Sequence, residues 1–151
     1  MSRDAVVHEV VYPHPIGRVW RALTDSAALA EWLMPNNFEP RVGHCFTFRT
    51  EPQPGWSGIV ECEVVEIEKP RRLSYTWRGD PSMLETLVVF TLEPVEERTR
   101  LRLVHSGFGA GGPTGTSIRD LLDWGWDTKL LRVDLPALLD HRAADSVEEE
   151  V

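Results

Sequence analysis

The sequence is poor in the features that would take a chain out of the cytoplasm. No run approaches the roughly 18 uncharged apolar residues that a membrane-crossing helix needs, and the opening "MSRDAVVHEVVYPHP" has no apolar stretch behind a basic one, so no signal peptide is expected. Cysteine is scarce: Cys45 and Cys62 are the only two, and they form no CxxC pair. A disulfide framework and a cysteine zinc site are both excluded as expectations. Positive charge is also short, with 16 Lys and Arg against 24 Asp and Glu, and no element carries a basic cluster. Nucleic acid is therefore not an expected partner, because its phosphates are bound through concentrated positive charge, and without a long apolar run neither is a membrane. These absences together read as a cytoplasmic protein that uses no cofactor or metal.

What is present is ordinary for a soluble domain. A chain of 151 residues suffices for one domain that buries about two-thirds of its unfolded surface without a covalent staple. Much of the net charge of -8 sits at the end, where Asp145, Glu148, Glu149 and Glu150 follow one another closely. Residues 1–144 are expected to form the domain and 145–151 an acidic frayed tail.

The hydrophobic pattern changes period three times. Residues 4–12 alternate and stop at Pro13, which predicts a strand. Ile16, Val19, Trp20 and Leu23 then recur at helical spacing, and Asp25 or Ser26 is placed to cap a second short helix ending near Trp32. From Arg41 to Ser106 the pattern is all strand with short links, which predicts an antiparallel meander. Phe46 and Phe48 share a face opposite Cys45, while Val60, Cys62 and Val64 oppose Glu61 and Glu63, so the two cysteines lie on opposite faces. The apolar parity flips after Val64, which predicts a bulge near Val64 and Val65. A helix is expected over residues 116–144, with stripes of Leu121, Trp124, Leu131, Leu135 and Leu138 and of Leu122, Trp126, Leu130 and Val133. Gly125 is expected to let that helix approach the sheet closely, and Pro136 to kink it or start a last turn. One strand, two short helices, five strands and a long helix covering a curved sheet make an α+β layer fold.

The stretch "TRLRLVHSGF" puts a histidine where leucines have been. Arg98, Arg100 and Arg102 take one side of the strand, so Leu101, Leu103 and His105 take the other. His105 has three readings at this point: a hydrogen-bonded core histidine, a polar handle in a ligand cavity, or a general base. His44 also falls on the inward side with Phe46 and Phe48; His8 has no assigned face, because both faces of the first strand carry valines, and is a candidate neighbour of His105 if the first and last strands pair. Tyr75, inward near Trp77, is a phenol able to polarise a ligand carbonyl. Gly107, Gly109 and Gly112 spell a dinucleotide fingerprint, but no second parallel strand follows to hold the ribose. The glycines read as a flexible entry loop. No inward carboxylate, GxSxG turn or activated cysteine accompanies the imidazole.

The run "VWRALTDSAALAEW", Gly43 before "FTF", "RRLSYTWR", "TLEPVEERTRLRLVHSGF" and "GWDTKLLRVDLPALL" together resemble the helix-grip domains of the SRPBCC, or START-like, superfamily. They are most similar to its branch of activator of heat-shock-chaperone ATPase homologues, over about Val6 to Leu139. The resemblance implies a six-stranded antiparallel curved sheet wrapped around a long C-terminal helix, with two short helices after strand one. It also implies a cavity for an apolar or aromatic small molecule, so a carrier, sensor or sequestering protein is expected, more readily than an enzyme. Its walls would be Phe46, Phe48, Val60, Cys62, Tyr75, Trp77, Val88, Phe90, Leu103 and His105 from the sheet. Leu122, Trp126, Leu130 and Val133 would come from the helix, with Trp32 and Trp56 near the mouth. A cyclase, aromatase or hydrolase using the same cavity is the alternative, with His105 as base and Tyr75 as donor. A chaperone-interacting module is another. Chaperone-activating members carry a separate N-terminal domain, which these residues are not expected to encode, so that role is not carried over. Homodimers remain open.

Overall fold

The computed structural model describes residues 5–52, 54, 57–79, 85–108, 119, 120 and 122–141. The expected Trp56 contact, the glycine-rich entry loop after Phe108 and the acidic tail lie outside those residues.

Strand β1 (Ala5–Tyr12) leads into helices α1 (Ile16–Thr24) and α2 (Ser26–Trp32). Strands β2 (Cys45–Arg49), β3 (Ile59–Glu68), β4 (Arg72–Trp77), β5 (Thr86–Val95) and β6 (Arg98–Ser106) follow, and helix α3, residues 122–141, closes the fold. The six strands form one antiparallel sheet in the order β1-β6-β5-β4-β3-β2. β1 and β2 are therefore the two edges, and α1 and α2 carry the chain from one edge to the other.

The local signals act as the residues dictate. Asp25 caps α2 by accepting from the Ala28 amide at 3.2 Å. The parity change in β3 is a register shift between Val64 and Glu66, which moves the apolar set from Val64 to Ile67 without turning the strand over. Cys62 is buried opposite Phe46, and Cys45 is exposed opposite Glu63, so the thiols face away from each other. The free edge of β2 is covered by the loop before it, through Arg49 N–H to the Pro35 carbonyl at 2.8 Å and Thr47 N–H to Asn37 Oδ1 at 2.7 Å. Among the described residues no helix is long and apolar enough to cross a membrane.

The core lies between the inner face of the sheet and the three helices. Val19, Trp20, Ala22 and Leu23 come from α1, Ala28, Leu29 and Trp32 from α2, and Trp126, Leu131, Leu135, Leu138 and Leu139 from α3. That last set differs from the two stripes read off the sequence. Trp124 and Val133 are 63% and 56% exposed. The reason is the helix itself: over Trp126–Asp134 it widens into a π-helix, with the Leu135 amide donating to the Leu130 carbonyl five residues back. Residues five apart then share a face, so Trp126 joins Leu131 and the α-helical partners Trp124 and Val133 turn to water. Gly125 serves no close approach, because a Cβ there would meet open space.

Candidate functional site

Cross-strand pairing assembles one aromatic face. Phe46 pairs with Cys62 and Phe48 with Val60; Tyr75 pairs with Val88 and Trp77 with Thr86; Phe90 pairs with Leu103 and Val88 with His105. Directly paired residues point to the same side, so all ten sheet positions expected from the sequence stand on the inner face and all are buried. The rings touch in series: Phe46 to Tyr75 at 5.3 Å, Phe48 to Trp77 at 5.6 Å, and Tyr75 to Phe90 at 6.1 Å between centroids. Trp126 of α3 reaches down to Trp77 at 5.9 Å and Phe90 at 6.0 Å. These are tilted and edge contacts, the arrangements that aromatic quadrupoles favour.

His105 is fully buried, and both ring nitrogens are used inside the protein. The Trp126 indole N–H donates to Nδ1 at 3.2 Å, which makes Nδ1 the unprotonated nitrogen. Nε2 then carries the proton and donates to the Thr86 hydroxyl at 2.6 Å, and that hydroxyl donates to the Trp77 carbonyl at 3.0 Å. Burial lowers the imidazole pKa to about 3. The ring is therefore a neutral tautomer fixed by one donor, the Trp126 indole, and one acceptor, the Thr86 hydroxyl, and its lone pair is not free to take a proton from a ligand.

Tyr75 is the opposite case. Among the described residues its buried hydroxyl has no hydrogen-bond partner, and burial, with the Cys62 thiol beside it, pushes its ionisation well above the ordinary phenol range. It is a protonated donor with no acceptor. Burial, with Glu61 nearby, also pushes the Cys62 thiol up, so Cys62 is an apolar wall and not a nucleophile.

The helix residues divide. Leu122 and Leu130 are half-buried against the core, and Val133 faces solvent, so it lines no interior space. Trp32 is not at a mouth: it is buried between α1 and α2, donating from its indole N–H to the Ala22 carbonyl at 2.9 Å. His44 precedes β2, half-buried at the rim, stacked on Phe46 and bonded to the Asn37 carbonyl at 3.0 Å. His8 lies opposite Leu103, and it is Val6 that lies opposite His105. Its Nε2 bonds Asp123 of α3 at 2.6 Å.

That contact belongs to a polar seam which the sequence reading missed. Along β1 and just beyond it, His8 meets Asp123, the Tyr12 hydroxyl donates to the Leu131 carbonyl at 2.6 Å, and His14 meets Asp140 at 2.8 Å. The signal was there as inward polar residues at 8, 12 and 14 against aspartates spaced along the helix. On the outer face, Cys45, Arg49, Glu63 and Thr76 line a cleft of about 320 Å³ where Glu61 and Arg78 pair at 3.1 Å. That cleft is polar and mixed in charge.

The sheet order, the edge-to-edge crossing by two short helices and the long helix over an aromatic inner face form a helix-grip domain. A family model described as Activator of Hsp90 ATPase homolog 1-like protein matches residues 13–130. The chain belongs to this family. Several solved structures are similar to it. Protein MLL2253 from Mesorhizobium loti is 38% identical, with 91% of this chain and 97% of that one covered and a TM-score of 0.78. Protein BH1534 from Bacillus halodurans is 29% identical over 89% and 96%, with a TM-score of 0.72. DynU16, from the dynemicin biosynthetic locus, is 26% identical over 93% of this chain and 47% of that one, with a TM-score of 0.68. No curated protein matches.

Proposed function

We propose that the protein binds a neutral, largely apolar small molecule between the inner sheet face and α3, and that the ligand accepts a hydrogen bond from Tyr75. The observation that carries this reading is the buried Tyr75 hydroxyl without a partner. A buried donor left unmade costs about 1–3 kcal/mol, and an acceptor atom on a ligand removes that cost. Apolar ligand sites are walled by aromatic side chains with a few placed polar groups, and Phe46, Phe48 and Phe90 surround the phenol in that way, with Trp77 packed on Phe48. The ligand is neutral because the buried polar residues among those described are His14, Ser74, Thr86, Thr99 and His105, with no lysine, arginine or carboxylate to meet a charge. The small-molecule biosynthetic locus of DynU16 agrees with this class of role.

Acid–base catalysis finds no support, since the His105 lone pair is engaged and its ring is neutral. The role is a carrier, sensor or sequestering one. The test is tryptophan fluorescence titrated with an aromatic ketone, the hydrocarbon of the same skeleton and the matching carboxylate. Wild type is expected to bind the ketone about tenfold more tightly than the hydrocarbon, one hydrogen bond's worth, and the carboxylate least. Tyr75→Phe is expected to erase the ketone's advantage. Absence of saturable binding by all three, or an unchanged advantage in Tyr75→Phe, overturns the reading.

A further inference from the structure

We infer that α3 is a two-register helix, held in its wide register from outside by Tyr12, and that Trp126 on its wide turn is a removable plug over the ligand interior. The plug role rests on the function proposed above; the register argument does not.

Three observations converge on the wide register. The first is the pairing of side chains at an interval of five: Arg132 Nε meets Asp127 Oδ1 at 2.6 Å and Lys129 Nζ meets Asp134 Oδ2 at 2.7 Å. In an α-helix the neighbours on one face are three and four apart, so these two pairs are brought together by the wide helix. The second is Pro136, five residues after Leu131. A wide helix would bond the Leu131 carbonyl to the amide of residue 136, and proline has no N–H. The third fills that gap: the buried Tyr12 hydroxyl donates to the same carbonyl at 2.6 Å.

The narrow alternative is close at hand. If the turn tightens, the Leu135 amide moves from the Leu130 carbonyl to that of Leu131, and the carbonyl left without a donor becomes that of exposed Arg132, which water can satisfy. Tyr12 then loses its vacant acceptor. Wide turns are rare and tend to mark functional places, and this one begins at Trp126, whose ring stands on Trp77, Phe90 and His105. Leu135, Leu138 and Leu139 anchor the end of the helix in the core. Tightening between that anchor and Trp126 rotates the indole off His105 Nδ1 and uncovers Phe90, which neighbours Tyr75.

The test uses hydrogen exchange by NMR on the full chain, reading the Trp126 indole N–H and the Leu135 amide against the Leu103 amide of β6. Tyr12→Phe is expected to speed the first two about tenfold, as loss of one buried hydrogen bond implies, with Leu103 unchanged. Asp127→Asn with Asp134→Asn, both on the surface, is expected to speed the same two signals further. Equal acceleration at Leu103 means general loosening and overturns the proposal, as does no change at Trp126. Stopped-flow association of the aromatic ketone then tests the plug: Tyr12→Phe is expected to raise its on-rate by the same factor. An unchanged on-rate with faster exchange refutes the plug role, whereas failure of wild type to bind any ligand refutes the functional reading and leaves the exchange result to decide the helix.

Discussion

A neutral buried imidazole makes the fold sensitive to acid in a calculable way. His105 in the folded protein titrates at about 3, and in the unfolded chain at its ordinary value near 6.5. Between those values the unfolded state binds a proton that the folded state refuses, so stability rises with pH across that window. The contribution is fully present above about pH 6.5 and is lost as pH falls, at about 1.4 kcal/mol per unit. At pH 5 the loss comes to about 2 kcal/mol, a sizeable share of the 5–15 kcal/mol that holds a typical domain together. Urea unfolding of wild type and His105→Gln, followed by tryptophan fluorescence at pH 5, 6, 7 and 8, isolates this residue, because all other titrating groups are common to both. The glutamine variant is expected to be less stable at pH 8, and its deficit to shrink by about 2 kcal/mol at pH 5. A deficit that stays constant or grows on acidification refutes the assignment of a neutral, doubly bonded imidazole.

Other consequences follow from the same geometry. Thr86→Val removes the hydroxyl that links His105 Nε2 to the Trp77 carbonyl, and each stranded group costs about 1–3 kcal/mol, so a thermal melt should show a drop of several degrees; an unchanged melting temperature contradicts the network. Gly58→Ala places a Cβ 2.4 Å from the Thr50 carbonyl oxygen at a φ of +82°, whereas Gly43→Ala at φ +87° meets nothing. The first should destabilise clearly more than the second when both are compared by denaturant midpoint. A maleimide reagent should modify Cys45 in the native protein and reach Cys62 only on unfolding, read by intact mass.

Where inward and outward residues alternate cleanly, the sequence was sufficient. The parity of β2 to β6, the break after Val64 and the cap at Asp25 could all be read because each depends on neighbours one to three residues away. His105 could be placed on the inner face but not given a role, since its two partners come from β5 and α3 and neither is local. Thr86 alternates in step with Val88 and Phe90, and only the folded sheet shows that its hydroxyl meets an imidazole. The helix was the main failure. A period of 3.6 splits Trp126 from Leu131, and nothing in the spacing announces a wide turn; Pro136, five residues after a buried leucine, was the available hint. Trp32, expected near a mouth, is instead buried with its indole N–H on the Ala22 carbonyl of α1, a contact that strand parity does not announce.

The order of strands also bears on how the chain is made. β1 emerges early from the ribosome, yet its one partner in the sheet is β6, where Tyr12 meets Thr99 and Ala5 meets Ser106. Until that far segment appears, β1 has both of its hydrogen-bonding edges open, with Val7 and Val11 beside them. The meander β2 to β6 closes locally and quickly, whereas β1 waits for a long-range contact whose closure is entropically slow. In that interval the first strand is the part of the nascent chain with most to gain from a transient escort, and sequence changes there should show in expression yield before they show in the stability of the finished protein.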